Sequence, residues 1–243
     1  MENMKKVSAL IFGYNEYSME IAKNVIHKYE NIILFSSNQD AFKINSEFIV
    51  ETFDLSDNWD DLEEKYDMKN SIAFCVLNSE AENVFLTISL RSYFKDLSIV
   101  AIAKSKEDAN KLNMAGANKV VPLVETTAGI ITDMIEKPIV TKVLHKILFE
   151  EGNLKIAQIK VENQDYFEGK YPSDIDWSRY RGIIVLSVID KNSDTAFIYS
   201  SKIKHHIIKN GDIFVVVGYE TDIIEFEKMI GSRCDVDWGS RSR

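Results

Sequence analysis

The chain has 243 residues, is 45% apolar and carries a formal net charge of −9 with a pI near 5.1. That length buries one large core or two modest ones, and the apolar content excludes a disordered chain. The acidic balance argues against a broad phosphate-backbone footprint, so nucleic acid is not an expected partner.

Six short apolar, β-branched runs are predicted as strands in the first half: Val7 to Phe12, Ile32 to Ser36, Phe48 to Thr52, Ser71 to Leu77, Ser98 to Ala103 and Lys119 to Pro122. Between them lie stretches with apolar residues three and four apart, such as Ile21, Val25 and Ile26, or Val84, Ile88 and Leu90, which predict amphipathic helices. Strand and helix in alternation predict a doubly wound, mostly parallel, Rossmann-like α/β sheet. After Pro122 two helices are expected, Glu125 to Ile135 and Ile139 to Phe149, broken at Pro138 because proline lacks the helix-forming N–H. Their apolar content exceeds one buried stripe. They can pack on their own sheet or on a second subunit; the second is expected, through Ile130, Ile131, Met134, Ile135, Ile139, Val143 and Leu144.

Beyond Gly152 a small α+β lobe is predicted, with strands near Lys155 to Val161, Gly182 to Ile189, Ala196 to Ser200 and Ile213 to Val217, and a helix over Thr221 to Ile230. Asn210-Gly211-Asp212 supplies a turn before the last strand. The expected division is residues 1–123 as the Rossmann-like lobe, 124–152 as a helix-turn-helix connector, 153–231 as the C-terminal lobe and 232–243 as a tail. The closing Gly239-Ser240-Arg241-Ser242-Arg243 has the composition of a linker. Cys75 and Cys234 are too few for a disulfide framework or a zinc site, which fits a reducing compartment. No stretch approaches the roughly 20 apolar residues of a membrane helix, and no signal peptide is evident at the start. A cytoplasmic protein is expected, with any membrane-spanning part elsewhere.

The first strand ends in glycine and leads into a helix, where a dinucleotide fold places its phosphate loop. The six positions are Gly13-Tyr14-Asn15-Glu16-Tyr17-Ser18, so one glycine of the G-x-G-x-x-G pattern is kept and Asn15 and Ser18 replace the others. Glu16 suits the helix dipole but repels phosphate. The second strand ends Phe35-Ser36-Ser37-Asn38, without the acid that bonds ribose hydroxyls. These departures argue against a nicotinamide dinucleotide and leave some other nucleotide, or an architectural scaffold, open. The strand ends facing such a ligand offer Gly13, Tyr14, Asn15, Glu16, Ser36, Asp54, Asn78 and Lys104 as candidate binding residues.

Ala101-Ile102-Ala103-Lys104 and Lys111-Leu112-Asn113-Met114-Ala115-Gly116-Ala117-Asn118-Lys119-Val120-Val121-Pro122 resemble the fifth and sixth strand region of RCK domains. These regulate potassium channels and occur as peripheral subunits of Trk and Ktr transporters. Asp54 after the third strand, Asn83 in the helix after the fourth, the helices around Pro138, Gly169-Lys170, and Asn210-Gly211-Asp212-Ile213 to Gly218 fit the same pattern. The resemblance spans Val7 to about Ile230. It implies paired domains that assemble into a ring beneath a potassium pore and shift its gate when a ligand binds. In calcium-gated archaeal members carboxylates come from the fourth and fifth strand ends. Here Val76, Ile102 and Lys104 stand there, so calcium is not expected at that site.

Other clusters carry less. Asp54, Asp57, Asp60, Asp61, Glu63 and Glu64 could attract a hard cation, but a solvated helix face is the expectation. Asp174 and Asp176 are expected in a surface loop. His205 and His206, if in a strand, point to opposite faces and do not chelate together. His27 and His145 are expected in helices without ligand spacing. No Gly-x-Ser-x-Gly or related nucleophile motif occurs, so no catalytic residue and no metal ligand are assigned. The expected role is a cytoplasmic, ligand-sensing domain of a potassium channel. The alternatives are a stand-alone Trk/Ktr-type subunit and a small NAD(P)-dependent reductase, which would need the phosphate loop, ribose acid and donor that are missing.

Overall fold

The computed structural model describes residues 7–29, 31–37, 47–56, 59–149, 154–167, 169–189, 195–197 and 206–233. The chain divides into two compact units at Thr132/Asp133, inside one helix.

The first unit is built on strands β1 (Ser8–Phe12), β2 (Asn31–Ser36), β3 (Ile49–Thr52), β4 (Ile72–Cys75), β5 (Ser98–Ala103) and β6 (Lys119–Pro122). They form one fully parallel sheet in the order β3-β2-β1-β4-β5-β6. Every residue of β1 is buried, as a central parallel strand covered on both faces requires. Helices α1 (Glu16–Val25), α2 (Asp60–Lys65), α3 (Glu80–Tyr93) and α4 (Lys106–Ala115) follow the strands. Ser79 and Ser105 cap α3 and α4 by accepting from the N–H groups of Glu82 and Asp108. On one face Leu10, Phe12, Ile33, Phe35, Leu86 and Leu90 form the larger core; Ala9, Ile11, Ala22 and Leu34 form the smaller.

Two local expectations shift. α1 stops at Val25, so Ile26 and His27 lie in the turn after it. The buried face of α3 is Asn83, Leu86, Thr87 and Leu90, whereas Ile88 is 50% exposed. A polar residue, Asn83, anchors that face, and an apolar pattern does not register it.

α5 (Leu123–Glu136) and α6 (Pro138–Phe149) meet at Lys137, with Pro138 opening the second helix, where its missing N–H costs no bond. The Asp133 carbonyl accepts from Lys137 N–H at 2.8 Å and from Thr141 Oγ1 at 3.0 Å, stitching the break.

The second unit carries an antiparallel sheet in the order β11-β7-β10-β8-β9, from β7 (Leu154–Val161), β8 (Ile183–Ile189), β9 (Thr195–Phe197), β10 (Ile213–Tyr219) and β11 (Gly231–Arg233). α7 (Glu220–Ile230) lays Ile223, Phe226 and Ile230 against Ile159, Phe214 and Val216. Phe167, Trp177, Tyr180 and Phe214 complete that core, and Trp177 Nε1 donates to the Pro172 carbonyl at 2.9 Å. The Asn210-Gly211-Asp212 turn is present, with Gly211 at φ 91°. β11 escapes sequence reading because Gly-Ser-Arg has no apolar alternation; it forms by pairing with β7. Of the expected strand Ala196 to Ser200, residues 198–200 lie outside the described residues, as do Asn38, Asp57, His205 and residues 234–243, whereas Ser232 and Arg233 of the expected tail belong to β11.

Candidate functional site

In a doubly wound sheet ligands bind beyond the carboxyl ends of the strands, where the chain order reverses. Here that point lies between β1 and β4. Gly13 leaves β1 at φ 130°, and a Cβ on it would stand 2.6 Å from the Val76 carbonyl oxygen at the end of β4. The glycine therefore serves close contact between two loops.

Asn15 is the N-cap of α1 and is extended, at φ −153° and ψ −176°. Its Oδ1 accepts from Ser18 N–H at 3.1 Å, while Ser18 Oγ accepts from Asn15 N–H at 2.9 Å, a reciprocal capping box. Ser18 is fully buried and its hydroxyl also donates to the Asn15 carbonyl at 2.8 Å. Asn15 Nδ2 reaches across the crevice to the Val76 carbonyl at 2.6 Å and to Asn78 Oδ1 at 3.2 Å. From the end of β5, Lys104 Nζ donates to the Asn78 carbonyl at 2.7 Å. Asn15, Asn78 and Lys104 thus form one chain of contacts over the ends of β1, β4 and β5.

The other candidates stand apart from it. Tyr14 is half-buried and Glu16 is exposed in the first turn of α1. Ser36 is buried at the end of β2, and its carbonyl accepts from Phe53 N–H. Asp54 is exposed and accepts from the Ser56 N–H and hydroxyl, which hold its carboxyl below the ordinary value. The loop residues Val76 to Asn78 are fixed from below by buried Asn83, whose side chain bonds both the N–H (2.8 Å) and the carbonyl (2.9 Å) of Leu77.

A second polar cluster was not anticipated. Arg91, in the last turn of α3, donates to the carbonyls of Gly116, Phe94 and Lys95 and to Asn118 Oδ1. Nothing local in the sequence signals a partner 27 residues away. The N-cap role of Asn15 was legible, since a capping box needs only a polar residue and a hydroxyl three positions on.

The four acids Asp60, Asp61, Glu63 and Glu64 are exposed on α2, whose Leu62 is buried, and among the described residues no group of three or more His, Cys, Asp or Glu could hold a metal. Asp176 is engaged by Ser178 and Arg179, not by Asp174. His206 lies in a loop, not a strand, and its Nε2 meets the buried Asp212 carboxylate at 2.7 Å. Cys75 is buried, which pushes its thiol up to about 12.

The first unit is therefore a domain of the nucleotide-binding doubly wound class whose switch point is occupied by its own side chains. Residues 9–123 match the TrkA-N domain family. Potassium channel protein 1 of Methanocaldococcus jannaschii is 24% identical over 155 residues, covering 64% of this chain and 45% of that one. Probable potassium channel protein 2 of the same organism is 23% identical over 232 residues, covering 91% and 66%. The chain thus spans no more than about two thirds of either relative. Among solved structures, the GsuK channel bound to NAD aligns at 17% identity and a TM-score of 0.48, over 94% of this chain and 39% of that one.

A nucleotide is the group the fold implies, and the residues present do not fit the pyrophosphate of a dinucleotide. The Asn15 side chain lies where a glycine would leave room, and the Asn15 and Ser18 N–H groups are already bonded within the chain. Among the described residues β2 closes on Ser36, not on a carboxylate.

Proposed function

We propose that this chain is a regulatory module of the potassium-channel class, which controls potassium flux through a membrane-spanning pore and works as a homo-oligomer. The observation that carries the reading is the unpartnered apolar surface of α5 and α6 in a chain whose first lobe matches the TrkA-N domain family. α5 has no buried residue, and Ile130, Ile131, Met134, Ile135, Ile139, Val143 and Leu144 are each between 47% and 78% exposed. A run of large apolar side chains in water on consecutive helices is a docking surface. A second copy of the chain is the occupant proposed here, giving a dimer that can build into a ring.

No catalytic role is proposed, because the polar groups at the strand ends bond to one another and make no nucleophile–base pair. No helix among the described residues is long and apolar enough to cross a membrane. The pore is therefore assigned to another segment or to a partner, and the module to the cytoplasmic side.

Potassium flux tests this. Vesicles bearing the pore encoded with or beside this chain are compared with and without the module. A changed flux, together with oligomers in sedimentation, supports the reading. Unchanged flux with a monomeric, folded module overturns it.

A further inference from the structure

We infer that the Asn15–Asn78–Lys104 contacts replace a dinucleotide as the tie across the switch point, so that this lobe is held closed by its own side chains and is not a sensor of NAD or NADH. Three independent features converge. First, two of the four donors that the N-terminus of α1 offers to an anion are taken within the chain. Ser18 N–H is taken by Asn15 Oδ1 and Asn15 N–H by Ser18 Oγ. Glu16 adds a negative charge to the same turn.

Second, the crevice is spanned. Gly13 packs against the Val76 carbonyl, Asn15 Nδ2 bonds that oxygen at 2.6 Å, and Lys104 closes on the Asn78 carbonyl at 2.7 Å. A pyrophosphate crossing here would have to displace Asn15 and draw Lys104 away, leaving the Val76 and Asn78 groups without these partners. Third, the neighbouring strand ends are packed with rings. Phe12, the last residue of β1, stacks on Phe35 of β2 at 4.5 Å, and Phe53, just past β3, and Trp59 meet it edge-on at 5.4 and 5.8 Å. Beside them Ser36 is buried and presents no carboxylate to a ribose.

The inference concerns the ligand of the lobe and stands whether or not the chain governs potassium flux. The experiment combines ligand melts with a double-mutant cycle on the full chain. NAD and NADH at about 1 mM, roughly 100 times the dissociation constant of a ~10 µM site, would visibly raise the melting temperature if such a site existed. No shift is expected for the wild-type chain. Asn15→Ala and Lys104→Met are each expected to lower the melting temperature and to speed amide exchange at Asn78 and Ser79. The double variant should lose less than the sum, because both side chains hold Asn78. Lys104→Arg, which keeps a donor, should recover part of the loss and serves if Asn15→Ala does not fold. Saturable NAD or NADH binding to the wild type, or Lys104→Met leaving both melting temperature and exchange unchanged, would overturn the inference.

Discussion

Arg91 on α3 places its guanidinium Nη2 2.5 Å from Asn118 Oδ1 in the loop before β6, and that same oxygen accepts the Ile99 N–H of β5 at 2.8 Å. One amide oxygen thus joins a helix end to two strands. With its bonds to the carbonyls of Gly116, Phe94 and Lys95, Arg91 closes the α3 and α4 ends of the sheet. This gives the Ala-Gly-Ala-Asn segment, which carried the family resemblance, a structural reason.

Arg91→Ala is therefore expected to destabilise the first unit by about 2–3 kcal/mol, since bonds from a charged donor are lost and their acceptors are left half-buried. Arg91→Lys keeps the charge but not the planar fork, and should recover only part. Urea melts followed by circular dichroism measure both. An unchanged midpoint for Arg91→Ala would contradict the account.

Gly116 caps α4 at φ 108°, and a Cβ there would sit 2.7 Å from Arg91 Cγ. Gly116→Ala should cost about 1–3 kcal/mol from backbone strain and contact together. Because part of the clash is with Arg91, the cost should shrink in an Arg91→Ala background. Additive losses would show that strain alone matters.

Buried Asn83 mimics a neighbouring strand by bonding both backbone groups of Leu77. Asn83→Ala strands one donor and one acceptor and is expected to cost about 2–4 kcal/mol. Asn83→Asp restores an acceptor for the N–H but sets an oxygen against the Leu77 carbonyl, so it should not rescue. Thermal melts of the two variants decide the point.

The sheet was legible because β-branched runs and helix spacings are local; β5 and β6 occupy the predicted residues. The missing glycines of the phosphate loop were legible too. What filled their places was read only as loss, because comparison with a fingerprint scores Asn15 and Ser18 as absent glycines. Their capping box is itself a local signal, a polar residue with a hydroxyl three positions on. Lys104 to Asn78 and Arg91 to Asn118 span 26 and 27 residues, and such contacts exist only once the parallel order is built. The buried polar face of α3 was misread for a related reason, since an apolar period cannot see an asparagine whose amide bonds the backbone.

Three carboxylates share one device. Asp54, Asp108 and Asp176 accept hydroxyl bonds from Ser56, Ser105 and Ser178, and each is lowered from 3.8, with that hydroxyl bond as the first cause. A group with a depressed folded value contributes stability above its unfolded value and loses it as pH falls through the folded one. The acid limb of stability should therefore fall below about pH 4, and Ser56→Ala or Ser178→Ala should flatten it by lowering stability slightly at neutral pH, the variants and the wild type converging at the acid end. Melting temperatures between pH 2.5 and pH 7, a window chosen around roughly pH 4, check this. An acid limb identical in the variants would show that these bonds do not couple to folding.

The exposed side chains of α5 and α6 allow a clean test of association. Ile135 and Ile139 are 76% and 78% exposed, so replacing them removes little packing within the chain. Surface changes of this kind usually move stability by about 0.5 kcal/mol or less. A carboxylate placed in an apolar interface, by contrast, must be desolvated without a partner and costs several times that. Ile135→Asp and Ile139→Asp should therefore shift the chain to monomers in sedimentation velocity at micromolar concentration, while circular dichroism and the melting of each lobe stay close to wild type. Lys142→Ala on the same helix, which trims a charge without adding one to the apolar surface, should leave the oligomer intact. A wild-type chain that sediments as a folded monomer would remove the second copy as the occupant of this surface, and the regulatory reading would then need a different partner to cover it.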